Sequence, residues 1–131
     1  MKKLICLLFV FTLLSCSSGD DDVVETPANL ELTGGWGTSL TGSGVTIYLG
    51  IDFGVSSNST TPYFYSREED AICATNDGPG VITKRTPTSI TITKEDITVV
   101  LTYINSTSVS VVTSGDLALT GTAISASWDK C

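Results

Sequence analysis

The chain reads as an all-β domain, most simply a small antiparallel up-and-down β-barrel of about eight strands. Three observations predict it. Apolar residues recur at every second position in run after run. Short turn signals separate the runs. No segment after residue 16 carries a helical period. A two-sheet β-sandwich is the other arrangement the pattern allows.

The first strand is expected near 35–40, at Trp36. The second, near 44–54, is the clearest. Val45, Ile47, Leu49, Ile51 and Phe53 alternate there with Thr46, Tyr48, Gly50 and Asp52, the period of a half-buried strand. Gly42-Ser43-Gly44 between them is a hairpin-type turn. Further strands are expected near 61–66, 70–74 and 80–84, with a turn or loop at Asn76-Asp77-Gly78-Pro79-Gly80. Ile90 and Ile92 alternate with threonines near 88–93, and Ile97, Val99, Leu101 and Tyr103 alternate over 97–105. Asn105-Ser106 marks a tight turn into 107–113, where Val109 and Val111 share a face. A last strand near 116–128 would align Ile124, Ala126 and Trp128. Threonine, valine and isoleucine dominate these runs, as a pleated sheet favours. Closing such a meander into a barrel removes exposed edges.

The N-terminus has a different character. Lys2 and Lys3 precede Leu4 to Leu14, apolar except for Thr12. That run suits the apolar region of a signal peptide and is too short to span a bilayer, which needs about 20 apolar residues. Leu13-Leu14-Ser15-Cys16 closes it and resembles the lipobox of a bacterial lipoprotein. The resemblance implies that residues 1–15 are removed and that Cys16 becomes a lipidated N-terminus. Two or more acyl chains hold a protein stably at a membrane. No Asp follows Cys16 directly, which in double-membrane bacteria points to the outer membrane. The run Asp20-Asp21-Asp22 resembles the export signal of Bacteroidota surface lipoproteins; it also reads as a solvated tether over 16–29. Residues 30–131 are left as one domain, a common domain size.

Loss of Lys2 and Lys3 takes the formal charge from −7 to −9. Such an acidic chain argues against nucleic acid and anionic headgroups as partners. With Cys16 assigned to lipid, Cys73 and Cys131 remain in an oxidising compartment. A Cys73–Cys131 disulfide is the economical reading, and two free thiols are the alternative.

Catalytic patterns are missing. The chain has no histidine, hence no Ser-His-Asp triad and no imidazole metal ligand. No glycine-rich phosphate loop opens a helix. Glu68-Glu69-Asp70, with Asp77 as a companion, could offer oxygens to Ca²⁺ or a carboxylate pair to a glycosidase. Neighbouring strand residues point to opposite faces, however, and a solvated loop beside Arg67 explains the cluster. The expectation is a non-enzyme with no cofactor and no metal.

Leu32-Thr33-Gly34-Gly35-Trp36 places Gly-x-Trp at the head of the first strand. It resembles the opening of the calycins, the lipocalins, fatty-acid-binding proteins and avidins. It is also similar to small lipocalin-like lipoproteins of Bacteroidota. The resemblance implies a barrel with Trp36 plugging its closed end. No arginine follows Arg85 to stack on that tryptophan, as lipocalins have, and two tryptophans are too few for an avidin-type biotin site.

The function expected is that of a binding module on the cell surface, gripping a small apolar molecule, a glycan or a protein at the open barrel end. Tyr63 and Tyr65, expected on one strand face, are its candidate contacts, with Trp36. The rival expectation is a protease inhibitor that presents residues 76–80 as a rigid loop beside the disulfide.

Overall fold

The computed structural model describes residues 28–56, 59–126 and 128–131. The expected signal peptide over 1–15, the expected lipidation site Cys16 and the tether up to residue 27 lie outside the described residues. What is described is all β. Nine strands run in chain order: β1 (Gly35–Gly42), β2 (Val45–Asp52), β3 (Tyr63–Arg67), β4 (Thr75–Pro79), β5 (Val81–Arg85), β6 (Ser89–Lys94), β7 (Ile97–Asn105), β8 (Ser108–Gly115) and β9 (Thr120–Ser125).

They form one antiparallel sheet in the order β4-β3-β2-β1-β9-β8-β7-β6-β5. Except for β4 and β5, consecutive strands pair with each other, and β9 returns to pair with β1, Trp36 opposite Ser125 and Thr41 opposite Thr120. The sheet curls into a nearly closed up-and-down barrel, as the alternation predicts.

The seam lies between β4 and β5, which only Gly80 separates. Tyr63 pairs with Pro79 at the end of the β3–β4 ladder. Past it, Gly80 N donates to Pro62 O at 2.8 Å and Ile82 N to Thr60 O at 2.9 Å. These bonds continue the same register, so β4 and β5 act as two halves of one bent strand. The first half pairs with β3 and the second with β6, which yields the expected eight staves. Gly80 is at the bend for a steric reason: a Cβ there would run into the Phe64 ring and lie 2.8 Å from Ile92 Cγ2.

Two strands differ from expectation. Residues 70–74 are not a strand, and Asn76 to Pro79, expected as loop, belong to β4. The Asn-Asp-Gly signal is spent on a bulge instead. Asn76 Oδ1 accepts from Gly78 N at 2.7 Å, Gly78 takes φ +99°, and Asp77 is the extra residue between the Phe64–Gly78 and Tyr65–Asn76 pairs. Residues 76–80 therefore do not form the protruding loop that an inhibitor would present. The last strand spans only Thr120–Ser125, and its faces are the reverse of those expected: Ala123 is 1% exposed and Ile124 54%. The preceding loop causes this. Thr113 Oγ1 donates to Leu117 O at 2.6 Å and accepts from Leu119 N at 2.8 Å. The loop thus tucks Leu119 inward, and the parity that follows sends Ile124 out.

Inward side chains from every stave fill the core, among them Leu40, Ile51, Ile90, Ile92, Leu101 and Val109. One end is shut. Residues 28–34 cross it from the β5–β6 turn to the head of β1, anchored by Leu30 N to Thr86 O (2.7 Å) and Gly34 N to Gly54 O (2.7 Å). Arg85 fastens the same crossing through its guanidinium, donating to Leu30 O at 3.0 Å and Ser59 O at 2.8 Å. Leu32 and Trp36 are buried beneath it, and so is Phe53.

Candidate functional site

At the other end the core stops short of the rim. Along β2 the inward residues pass from buried Ile51 through half-buried Leu49 and Ile47 to Val45, which is 50% exposed. No crossing segment covers that end among the described residues. A cavity of about 370 Å³ opens there. Its apolar wall comes from Ile47 and Leu49 of β2, Phe64 of β3, Ile97 and Val99 of β7, and Leu117 of the β8–β9 loop. Strand alternation delivers them, since each belongs to the inward set of its stave or to the loop folded over it.

Polar groups border the wall. Lys94, the last residue of β6, follows Ile90 and Ile92 on the inward face, and its ammonium stands 3.9 Å from Glu95 at the rim. Asp77 lines the cavity from the β4 bulge. Ser66 and Thr113 add hydroxyls, that of Thr113 already committed to the loop. Chemically this is an apolar cup bordered by the Lys94 ammonium with Glu95 beside it and by the Asp77 carboxylate.

The tyrosines and tryptophan expected as ligand contacts are not in this cup. Trp36 is 5% exposed inside the shut end and donates its indole N–H to Thr33 O at 3.0 Å. Tyr63 is 47% exposed. Tyr65 is covered: its ring meets that of Trp128 edge-on, centroids 5.8 Å apart. The pair expected to share one exposed face is thus split by what packs on it. The acidic residues are divided too. Glu69 lines an outer-wall pocket with Glu68, and Asp77 lines the cup, although Glu68 and Asp77 also border a common hollow of about 520 Å³ beside the disulfide. Among the described residues no cluster of three or more potential metal-ligating Cys, Asp or Glu side chains forms.

The cysteines do pair. Cys73–Cys131 is a disulfide with Cα atoms 5.2 Å apart. It ends a strap, described at Ala126 and over 128–131, that lies against the outside of β1, β2 and β3. Ala126 N donates to Gly35 O, Ala74 N to Asp129 O and Cys131 N to Ala74 O. Trp128 lies in a trough made by glycines: a Cβ on Gly35 or Gly50 would strike its ring. Lys130 closes on Asp52 in an ion pair and lies 5.0 Å from the centre of the Tyr65 ring. Partial burial would raise the Asp52 carboxyl, but the Lys130 hydrogen bond, the Gly54 amide and the Lys130 charge together hold it below its usual range. Lys130 is correspondingly raised, chiefly by its hydrogen bond to Asp52.

Sequence reasoning found the β2 wall through its alternation but missed Lys94, which looks like a turn residue, named Asp77 only as companion of the acidic cluster, and read Leu117 as part of the last strand. The available signal was parity: Lys94 stands at two residues from Ile92 and four from Ile90. No protein-family model, no curated protein and no solved structure matches this chain.

Proposed function

We propose that this chain is a lipid-anchored outer-membrane lipoprotein, displayed at the cell surface, whose barrel is a non-catalytic binding module for a small apolar ligand. The cavity at the open end is the observation that carries the ligand. Its 370 Å³ lies at the small end of ligand pockets, which span about 300–1,000 Å³. Its apolar wall with a few polar rim groups is the usual chemistry of such sites. Lys94 and Asp77 orient what enters, and the apolar wall provides the affinity.

The anchor rests on the lipobox at Leu13-Leu14-Ser15-Cys16, and the surface address on the acidic run after it. The first described residues enter the barrel at its shut end. An anchor on that side leaves the cup facing away from the attachment, open to solutes. The Gly-x-Trp head of β1 supports kinship with small lipocalin-like lipoproteins.

Two measurements test this reading. Titration with N-phenyl-1-naphthylamine, a neutral apolar fluorophore, should give saturable one-to-one binding. Leu49→Phe, which fills the cup, should weaken it about tenfold or more. Equal binding by this variant refutes the site. The intact mass of membrane-extracted protein should show loss of residues 1–15 and added acyl chains on Cys16. An unmodified Cys16 refutes the anchor.

A further inference from the structure

The outer wall carries a second concavity, built from residues the cup does not use. Tyr48 of β2 faces Arg67 of β3 in register, and the guanidinium carbon lies 4.6 Å from the centre of the Tyr48 ring. Stacking of this kind holds the guanidinium plane still and leaves its N–H edge free. No ion pair engages Arg67 among the described residues.

Hollows open on both sides of this stack. One, about 450 Å³, is lined by Ser39, Thr46, Glu68 and Glu69 together with Tyr48 and Arg67. The other, about 350 Å³, is lined by Ile72, Trp128 and Asp129 with the same two residues. Both hollows are lined by Tyr48 and Arg67, so the stacked pair stands at the border the two share. The indole Nε1 of Trp128 is buried and has no acceptor among the described residues.

The chemistry of the hollows restricts their occupant. Glu68, Glu69 and Asp129 repel a phosphate, sulfate or nucleic-acid strand. The polar lining penalises a wholly apolar ligand, which would desolvate those groups and return no hydrogen bonds. An uncharged hydroxyl-rich ligand meets both demands. Each hydroxyl donates and accepts, so it serves a carboxylate and a guanidinium together. The C–H faces of a sugar ring pack on aromatic side chains such as Tyr48 and Trp128. Two hollows flanking one stack call for a chain of at least two rings.

We infer that the outer-wall concavity centred on Tyr48 and Arg67 binds a neutral oligosaccharide, at a site distinct from the apolar cup.

The test is calorimetric titration of the folded domain with chitotetraose, cellotetraose and maltotetraose, and with a sulfated heparin tetrasaccharide as the anionic comparison. Trp128 emission is followed in parallel. The expected result is saturable binding of at least one neutral tetraose with a change in emission. Arg67→Ala and Glu69→Gln should each weaken binding about tenfold or more. Arg67→Lys keeps the charge, loses the planar fork, and should weaken it too, with an unchanged thermal midpoint showing that the fold survives. Leu49→Phe should leave saccharide binding intact, which separates this site from the cup. The inference is overturned if no neutral tetraose binds at roughly 10 mM, a Kd weaker than the millimolar range. Preference for the sulfated ligand, or unchanged binding by Arg67→Ala, overturns it equally.

Discussion

Trp128 occupies the space that a side chain at Gly50 would need: a Cβ built on Gly50 stands 2.8 Å from Cζ2 of the indole. The two residues are far apart in sequence, yet the absence of one side chain makes room for the other. Gly35 is constrained in the same way, as its Cβ would lie 2.7 Å from Cη2 of the indole. Gly50→Ala should therefore lift the strap off the wall and cost about 1–3 kcal/mol, the usual range for overpacking. Chemical denaturation reads the loss, and a red shift of the indole emission reads the lift. Unaltered stability and emission would show that the trough does not seat the ring.

The disulfide should dominate the stability of the strap. It links residues 58 apart in sequence, and closing such a loop stabilises by roughly 4 kcal/mol in the chain-entropy picture. Cys73→Ser/Cys131→Ser should lose about 2–5 kcal/mol in a denaturant titration. A loss below 1 kcal/mol would mean that the strap's other contacts already hold Cys131 beside Cys73 in the unfolded ensemble.

The Asp52–Lys130 pair gives the strap a pH dependence with a defined sign. Asp52 is lowered in the folded state, so its contribution is complete above the unfolded carboxylate pKa of about 3.9 and is lost as pH falls through the folded value. Lys130 is raised, so its contribution is complete below about 10.4 and is lost as pH rises through the folded value. The pair is partly exposed, and about 1 kcal/mol is its ceiling. Asp52→Asn retains an acceptor for the Gly54 amide and removes only the charge. Its urea midpoint should fall below wild type at pH 7, and the gap should narrow as pH falls through the folded value of Asp52. A constant gap across that range would exclude the ion pair as its source.

Thr113 should be the most sensitive polar position of the rim. Its buried hydroxyl accepts from Leu119 N and donates to Leu117 O. Thr113→Val removes the acceptor and leaves the buried Leu119 amide unpaired, a cost of about 1–3 kcal/mol. Hydrogen exchange at Leu119 should accelerate more than at Val99, on the facing β7. Uniform acceleration across the barrel would show a global effect and not a loosened loop.

Alternation along the chain exposed most of the staves, because a strand half in and half out of a core repeats every two residues. β2, β6, β7 and β8 were legible for this reason. β4 was not. Asn76, Asp77 and Gly78 carry turn chemistry, and a bulge uses the same residues for the same backbone reason, a positive φ beside an Asx side chain. Of the cup, Ile47, Leu49, Ile97 and Val99 were visible as inward residues, but nothing local reveals that the core stops beneath them. Tyr65 looked like a contact because its cover, Trp128, arrives from the opposite end of the chain.

Local chemistry in the sequence determined most of the barrel's strands and its short hairpins, and with Cys16 read as the lipidation site it left Cys73 and Cys131 as the economical pair. Period, turn type and cysteine count are properties of neighbouring residues or of a simple tally. Only the tertiary structure decided which end is shut, where the cup lies, and that the stretch from Trp128 to Cys131 clamps the outer wall. Those outcomes depend on contacts between distant segments. Residues 28–34 close one end by crossing it, and Gly35 on β1 and Gly50 on β2 admit an indole from beyond β9. Shape of that kind comes from packing, and no window along the chain contains it.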